Sequence, residues 1–146
     1  MLRRKLLTVL APLAILACAQ SAAAATLKVT KTASCGCCAH WVEHMRKSGF
    51  KVEVHDVHDV TPTAMRLGVP AKLRSCHTSE ISGYAIEGHV PAADVKRLLA
   101  TRPKAAGLAV PGMVTGSPGM ESGGRSEPYQ TMLFDKAGKT RVFASH

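Results

Sequence analysis

An α/β fold is predicted by three observations. Apolar residues alternate in some short segments and recur at three- and four-residue spacing in others, and the two kinds take turns along the chain. Three thiols crowd one turn, Cys35-Gly36-Cys37-Cys38, between the first alternating run and the first helical one. Beyond residue 102 this order gives way to a Gly- and Pro-rich stretch that ends in a hairpin pattern.

The elements follow in order. Leu27–Thr32 is β-branched and alternating, and the thiol turn comes next. From Cys38 the positions Cys38, Trp41, Val42 and Met45 line one helix face, and Ser48-Gly49 is a C-cap signal. Residues 51–57 alternate again, with Val52 and Val54 on one side. Thr61-Pro62 opens a short helix, where the missing proline N–H does no harm, and Gly68 closes it. Val69-Pro70 then leads into two extended runs, 74–81 and 84–90, joined by Ser82-Gly83 as a tight hairpin. Pro91 starts a third helix, 91–100, that turns Val95, Leu98 and Leu99 inward. The order β-α-β-α-β-β-α, with thiols at the first βα turn and a Val-Pro before the third strand, predicts a thioredoxin-like domain over residues 26–102. In that layout Val69-Pro70 is the expected cis bond beside the thiols.

Residues 103–146 form a C-terminal extension. Of the 26 residues from 103 to 128, ten are Gly or Pro, a density that no packed helix or strand tolerates. The stretch carries Pro-Gly-Met twice, at Pro111-Gly112-Met113 and Pro118-Gly119-Met120. Residues 129–135 and 139–144 alternate around Lys136-Ala137-Gly138 as a second hairpin. A long loop held at both ends is expected to cover something rather than trail free.

Residues 1–25 have the composition of a secretory signal: Arg3, Arg4 and Lys5, an apolar run over 6–19, and small residues at 22–25, with cleavage after Ala24 or Ala25. An uncleaved anchor is opposed by Pro12, Gln20 and Ser21. Lipid attachment at Cys18 would need Ile15-Leu16-Ala17-Cys18, in which Leu16 fits poorly, and the Arg3-Arg4 pair admits twin-arginine export. The expectation is a periplasmic monomer, off the membrane once the leader is cut. Losing the leader's three basic residues lowers the formal charge from +9 to +6. The remaining Lys and Arg are scattered with almost no interleaved aromatics, so a nucleic-acid surface is not supported.

Four cysteines then remain, Cys35, Cys37, Cys38 and Cys76. Thiols at a helix N-terminus become good nucleophiles and soft-metal ligands. Dithiol exchange needs an attacking and a resolving thiol, and Cys35 and Cys38 supply both at C-x-x-C spacing. Such a pair can also close a labile disulfide. Cys37 is surplus to that mechanism, whereas clustered thiolates can share soft metal ions. Structural zinc would want a second spaced pair, and an iron–sulfur cluster suits neither export nor this spacing. Thiolates and thioethers favour Cu(I), which brings in Met113 and Met120 on the covering loop. Their plain alternative is hydrophobic plugging of that loop.

Cys35-Gly36-Cys37-Cys38, Ser75-Cys76-His77-Thr78, Gly83-Tyr84, Glu87-Gly88-His89-Val90-Pro91 and the segments 107–113 and 116–121 resemble the CopG-type periplasmic copper-resistance proteins, long catalogued as a domain of unknown function. The resemblance spans nearly all of the chain after the leader. It implies a thioredoxin-like domain with a C-terminal extension that binds copper through Cys35, Cys37, Cys38 and Cys76 and cycles it between Cu(I) and Cu(II). A straight strand from Pro70 would carry Cys76 about 20 Å from the turn. Residues 71–75 must therefore loop back if Cys76 is a ligand. His77 is then the nearest imidazole.

The other histidines are weaker candidates. His40 and His44 share a face with Cys37 and are expected in solvent. His55 and His58 belong to a polar loop, and His89 is expected to bond backbone at a strand end. Three functions stay open: copper binding in copper resistance, thiol–disulfide exchange through Cys35 and Cys38, and delivery of copper to other periplasmic copper-handling proteins.

Overall fold

A computed structural model describes residues 25–146. The predicted leader, Cys18 included, lies outside the described residues. Among those described, no helix is long and apolar enough to cross a membrane.

Among the described residues seven strands form one sheet in the order β2-β1-β3-β4-β5-β6-β7. β1 (Leu27–Thr32) runs parallel to β2 (Val52–Val57) and antiparallel to β3 (His77–Ile81). β3 turns into β4 (Tyr84–Glu87) through Ser82 and Gly83, both at positive φ, the two-residue turn that the strand twist favours. The predicted hairpin is therefore present. Both of its strands are shorter than the alternation suggested, because residues 74–76 and 88–90 leave the sheet to build the site described below.

α1 (Gly36–Lys47) opens at Cys35 and closes at Ser48, with Gly49 at φ +91°. The Gly49 and Phe50 amides return to the Arg46 and Met45 carbonyls, as the Ser48-Gly49 signal predicts. α2 (Thr61–Arg66) opens on an Asp59 carboxylate that accepts the Thr61 amide at 2.8 Å, and Gly68 follows its end at φ +72°. α3 (Ala92–Thr101) follows Pro91.

Strand alternation divides the core between the two sheet faces. Ile86, Leu108 and Leu133 pack with Trp41, Val42 and Met45 of α1 and Val95 and Leu98 of α3. Ala85, Ala109 and Phe134, one residue out of phase with them, pack with Ala64 of α2, Val69 and Leu73. Trp41 is fully buried and its Nε1 donates to the Val90 carbonyl at 2.9 Å, which ties α1 to the approach to α3.

Two expectations are corrected. All described peptide bonds are trans, Val69-Pro70 included. That pair leads into a 3-10 turn, Ala71–Leu73, so the chain needs no cis bond to reverse before β3. The Gly/Pro-rich segment also contains a strand, β5 (Gly107–Ala109), parallel to β4 and antiparallel to β6 (Gln130–Phe134). A Cβ at Gly107 would strike the Ala85 carbonyl, so glycine is what lets these backbones meet. β6 and β7 (Thr140–Ser145) complete the second hairpin, and the extension thus continues the same sheet.

Candidate metal centre

The site is assembled from three separate segments. The first is the turn at the start of α1. Cys35 and Cys38 are joined by a disulfide, and the free Cys37 sulfur lies 3.5 Å from that of Cys35. Cys38 is buried and its Sγ lies 3.6 Å from the Cys76 carbonyl.

The second segment brings Cys76 to the turn. The 3-10 turn and the extended residues after it loop the chain back, as a ligand role for Cys76 requires. Gly88 makes the crossing possible: at φ +68° it has no side chain, and a Cβ there would lie 2.9 Å from the Ser75 side chain and 2.8 Å from the Val110 carbonyl. The sulfurs of Cys35, Cys37, Cys38 and Cys76 all lie within 4.8 Å of one another.

His77 and His89 stand on the inner side of Cys76. Its sulfur is 3.4 Å from His77 Nδ1 and 3.2 Å from His89 Nε2, and these three residues form a second group within 4.8 Å. His89 Nδ1 lies 2.8 Å from the Pro118 carbonyl. A carbonyl only accepts, so Nδ1 carries the proton and Nε2 turns its lone pair toward Cys76. This is how a metal-binding histidine is oriented by a partner outside the ligand shell. His77 is fully buried against Trp41, with ring centroids 4.5 Å apart, and its Nε2 has no hydrogen-bond partner.

Burial sets the protonation states. The Cys76 thiol is pushed up to about 11 by burial and by neighbouring Cys37. Burial and the adjacent His89 hold His77 down to about 3, and burial lowers His89 as well. Both imidazoles are therefore neutral at pH 7, the form that binds metals. Glu87 is fully buried and pushed up to about 7 by desolvation, against hydrogen bonds from Thr78 and Ser75 that favour its anion.

The covering loop is present. The Ser75 hydroxyl donates to the Gly112 carbonyl at 2.9 Å, and Gly119 packs so closely on α1 that a Cβ would lie 2.7 Å from the Trp41 nitrogen. Both Pro-Gly-Met units thus rest on the site's segments. Met113 is 52% exposed and Met120 half-buried. His40 is exposed, whereas half-buried His44 accepts the Ala92 amide at 3.1 Å and is spoken for there. His55 is exposed and pairs with Glu53. The backbone bond expected of His89 is present, but its second nitrogen, facing Cys76, was missed.

This is a mixed α/β protein in which the ends of the central strands β3 and β4 and the start of the first helix present a thiol and imidazole cluster able to bind metal. The donors suit a soft ion, and His77 Nδ1 facing Cys76 and the oriented His89 Nε2 fit ligation.

A solved structure titled copper resistance protein copG, form 2, is 44% identical to the chain, covering 84% of it and 98% of the solved chain with a TM-score of 0.79. The form 1 structure of the same title is 45% identical over 83% and 96%, also at 0.79. Residues 73–120 match the family described as a protein of unknown function, DUF411. No curated protein matches. The chain belongs to the CopG family of copper-resistance proteins.

Proposed function

We propose that this is an exported copper-binding protein of copper resistance. It holds copper as cargo through Cys35, Cys37, Cys38 and Cys76, with His77 and His89 completing the shell. The observation that carries the reading is the convergence of four sulfurs and two imidazoles from segments 35–38, 76–77 and 89. Met113 and Met120 would add thioether donors where the loop closes over copper. A thioredoxin-like frame is supported by the strand order β2-β1-β3-β4, with the thiols at the first βα turn. The leader over residues 1–25 delivers a monomer to the periplasm, where copper passes to or from other copper-handling proteins.

The chain's own groups supply the chemistry. Four thiolates require the Cys35–Cys38 disulfide to be reduced, the two electrons coming from an external dithiol that leaves as its own disulfide. Oxidation of the Cys35 and Cys38 thiolates back to the disulfide would release two electrons, enough to convert two Cu(II) to two Cu(I). Cys76 holds its proton until a metal replaces it, so loading expels that proton. Buried Trp41 and the loop at Gly119 cover the inner side of the centre, at Cys38, His77 and His89, while Cys35, Cys37 and Cys76 stay partly exposed.

Metal content and absorbance of the exported protein from copper-rich medium, in native and Cys37→Ser forms, test the proposal. Bound copper with sulfur-to-copper absorption, lost in Cys37→Ser, is expected. Metal-free protein with all four thiols stably oxidised would overturn it. The Cys35–Cys38 disulfide favours one other reading, thiol–disulfide exchange. In that case Cys37→Ser keeps disulfide-exchange activity and Cys35→Ser abolishes it.

A further inference from the structure

A carboxylate with no solvent exposure is an expensive group to keep in a core that could have held leucine. Glu87, the last residue of β4, is such a group. Its Oε1 accepts the Ser75 amide at 2.6 Å and its Oε2 accepts the Thr78 hydroxyl at 2.7 Å. These two donors bracket Cys76 and His77, so one side chain on the neighbouring strand grips the chain on both sides of the two residues that meet the thiol turn. Thr78 is also the Cα partner of Glu87 across the sheet. Ser75 lies beyond the ladder, and only the carboxylate reaches it from this strand.

Backbone contacts reinforce the grip. The Val110 amide donates to the Glu87 carbonyl at 3.1 Å, and the Gly88 amide donates to the His77 carbonyl at 3.0 Å. Ser75 lies over Gly88 in the space a Cβ would fill. Without an acceptor at Oε1 the partly buried Ser75 amide would lose its protein partner, and the chain would relieve that by straightening toward the strand direction, where water can pair the amide. Straightening carries Cys76 away from Cys37 and His89.

We propose that Glu87 is a positioning residue of the metal centre: its carboxylate, holding the Ser75 amide and the Thr78 hydroxyl, fixes the bend that sets the Cys76 sulfur between the thiol turn and His89. Glu87 touches none of the sulfurs and acts through Cys76. The inference rests on the copper reading for its metal-binding consequence, but not for its geometry.

The test uses Glu87→Ala, Glu87→Gln and Thr78→Val in the full chain. Gln can accept the Ser75 amide and donate to the Thr78 hydroxyl, so it keeps both arms. Ala keeps neither, and Val at 78 removes one. Reduced protein is titrated anaerobically with Cu(I) against a chromophoric chelator, and the ultraviolet thiolate-to-copper absorption is recorded. In metal-free protein, iodoacetamide alkylation of Cys76 is timed by peptide mass spectrometry. Circular dichroism reports the fold.

Glu87→Ala is expected to lose about 10–100-fold in Cu(I) affinity, as outer-shell partners of metal ligands typically do. Its absorption should change and Cys76 alkylation should speed up. Glu87→Gln should stay close to native in all three, and Thr78→Val should fall between. A folded Glu87→Ala with native affinity, spectrum and alkylation rate would overturn the proposal. If Glu87→Ala does not fold, Thr78→Val decides on the same readouts, native values again overturning it. Should native protein bind no Cu(I), the copper reading fails while the Cys76 alkylation rates still decide the positioning role.

Discussion

The Cys76 sulfur and His89 Nε2 are 3.2 Å apart, while the far side of the same imidazole is held by the Pro118 carbonyl at 2.8 Å. The ring therefore transmits the position of the second Pro-Gly-Met loop to the thiol cluster. His89→Ala removes one donor and its anchor together. The expected result is a loss of Cu(I) affinity at least as large as the 10–100-fold typical of an outer-shell partner, measured by chelator competition. His89→Gln, able to keep the Pro118 bond through its amide but offering no nitrogen lone pair, should restore stability without restoring affinity.

Gly119 is where the loop presses on α1. It sits at φ +85°, and a Cβ there would meet the Trp41 nitrogen at 2.7 Å and the Cys37 carbonyl at 2.8 Å. Both obstacles are helix backbone, which cannot yield as a side chain can. Gly119→Val should lift the loop, separate Pro118 from His89 and lower unfolding stability by roughly 1–3 kcal/mol. Urea unfolding of the metal-free protein measures the stability. Faster Cys76 alkylation would show that the loop, and not only the fold, has loosened.

The Cys35–Cys38 disulfide closes a very short loop, and loop-closure entropy predicts a contribution of about 2 kcal/mol for four residues. A phosphine reductant should lower the urea midpoint of metal-free protein accordingly. Adding Cu(I) to the reduced protein should raise it again, because a ligand that binds only the folded state stabilises it by mass action. Silver(I), another soft ion, should act similarly, whereas Mg(II) should not.

The strands β1 to β4 were legible because alternation and a Ser82-Gly83 turn are local signals. β5 was not, since three residues among glycines and prolines have no period, and their pairing with β4 is decided by distant chain. The position of Cys76 was legible only as a condition, that residues 71–75 loop back, and the Gly88 vacancy that permits it depends on Ser75 and Val110. His89 was within reach. From the turn, Ile81 pairs with Tyr84 and Thr78 with Glu87; counting two residues further along each strand sets Cys76 beside His89. Judging His89 by its strand-end position alone concealed that. The importance of Glu87 could not be read from sequence, because a glutamate at the end of an alternating run looks like a solvent residue until Ser75 folds over Gly88.

Two buried groups near the site titrate in opposition. Glu87 is raised to about 7 from an ordinary 4.5, so between these values the native state holds a proton that the unfolded chain has lost. Its contribution to stability is full below the unfolded value and declines as pH rises through the folded one. His77 is lowered to about 3 from 6.5, so below 6.5 the unfolded chain takes up a proton that the native state refuses, and its contribution declines as pH falls. Between about pH 4.5 and 6.5 each slope is close to 1.4 kcal/mol per pH unit and the signs are opposite, so the two nearly cancel. Glu87→Gln removes one of them. Metal-free Glu87→Gln should lose stability by about 1.4 kcal/mol per unit as pH falls from 6.5 to 4.5, more steeply than native protein. Urea midpoints across that range measure it, and equal slopes for the two proteins would show that Glu87 does not hold its proton in the core.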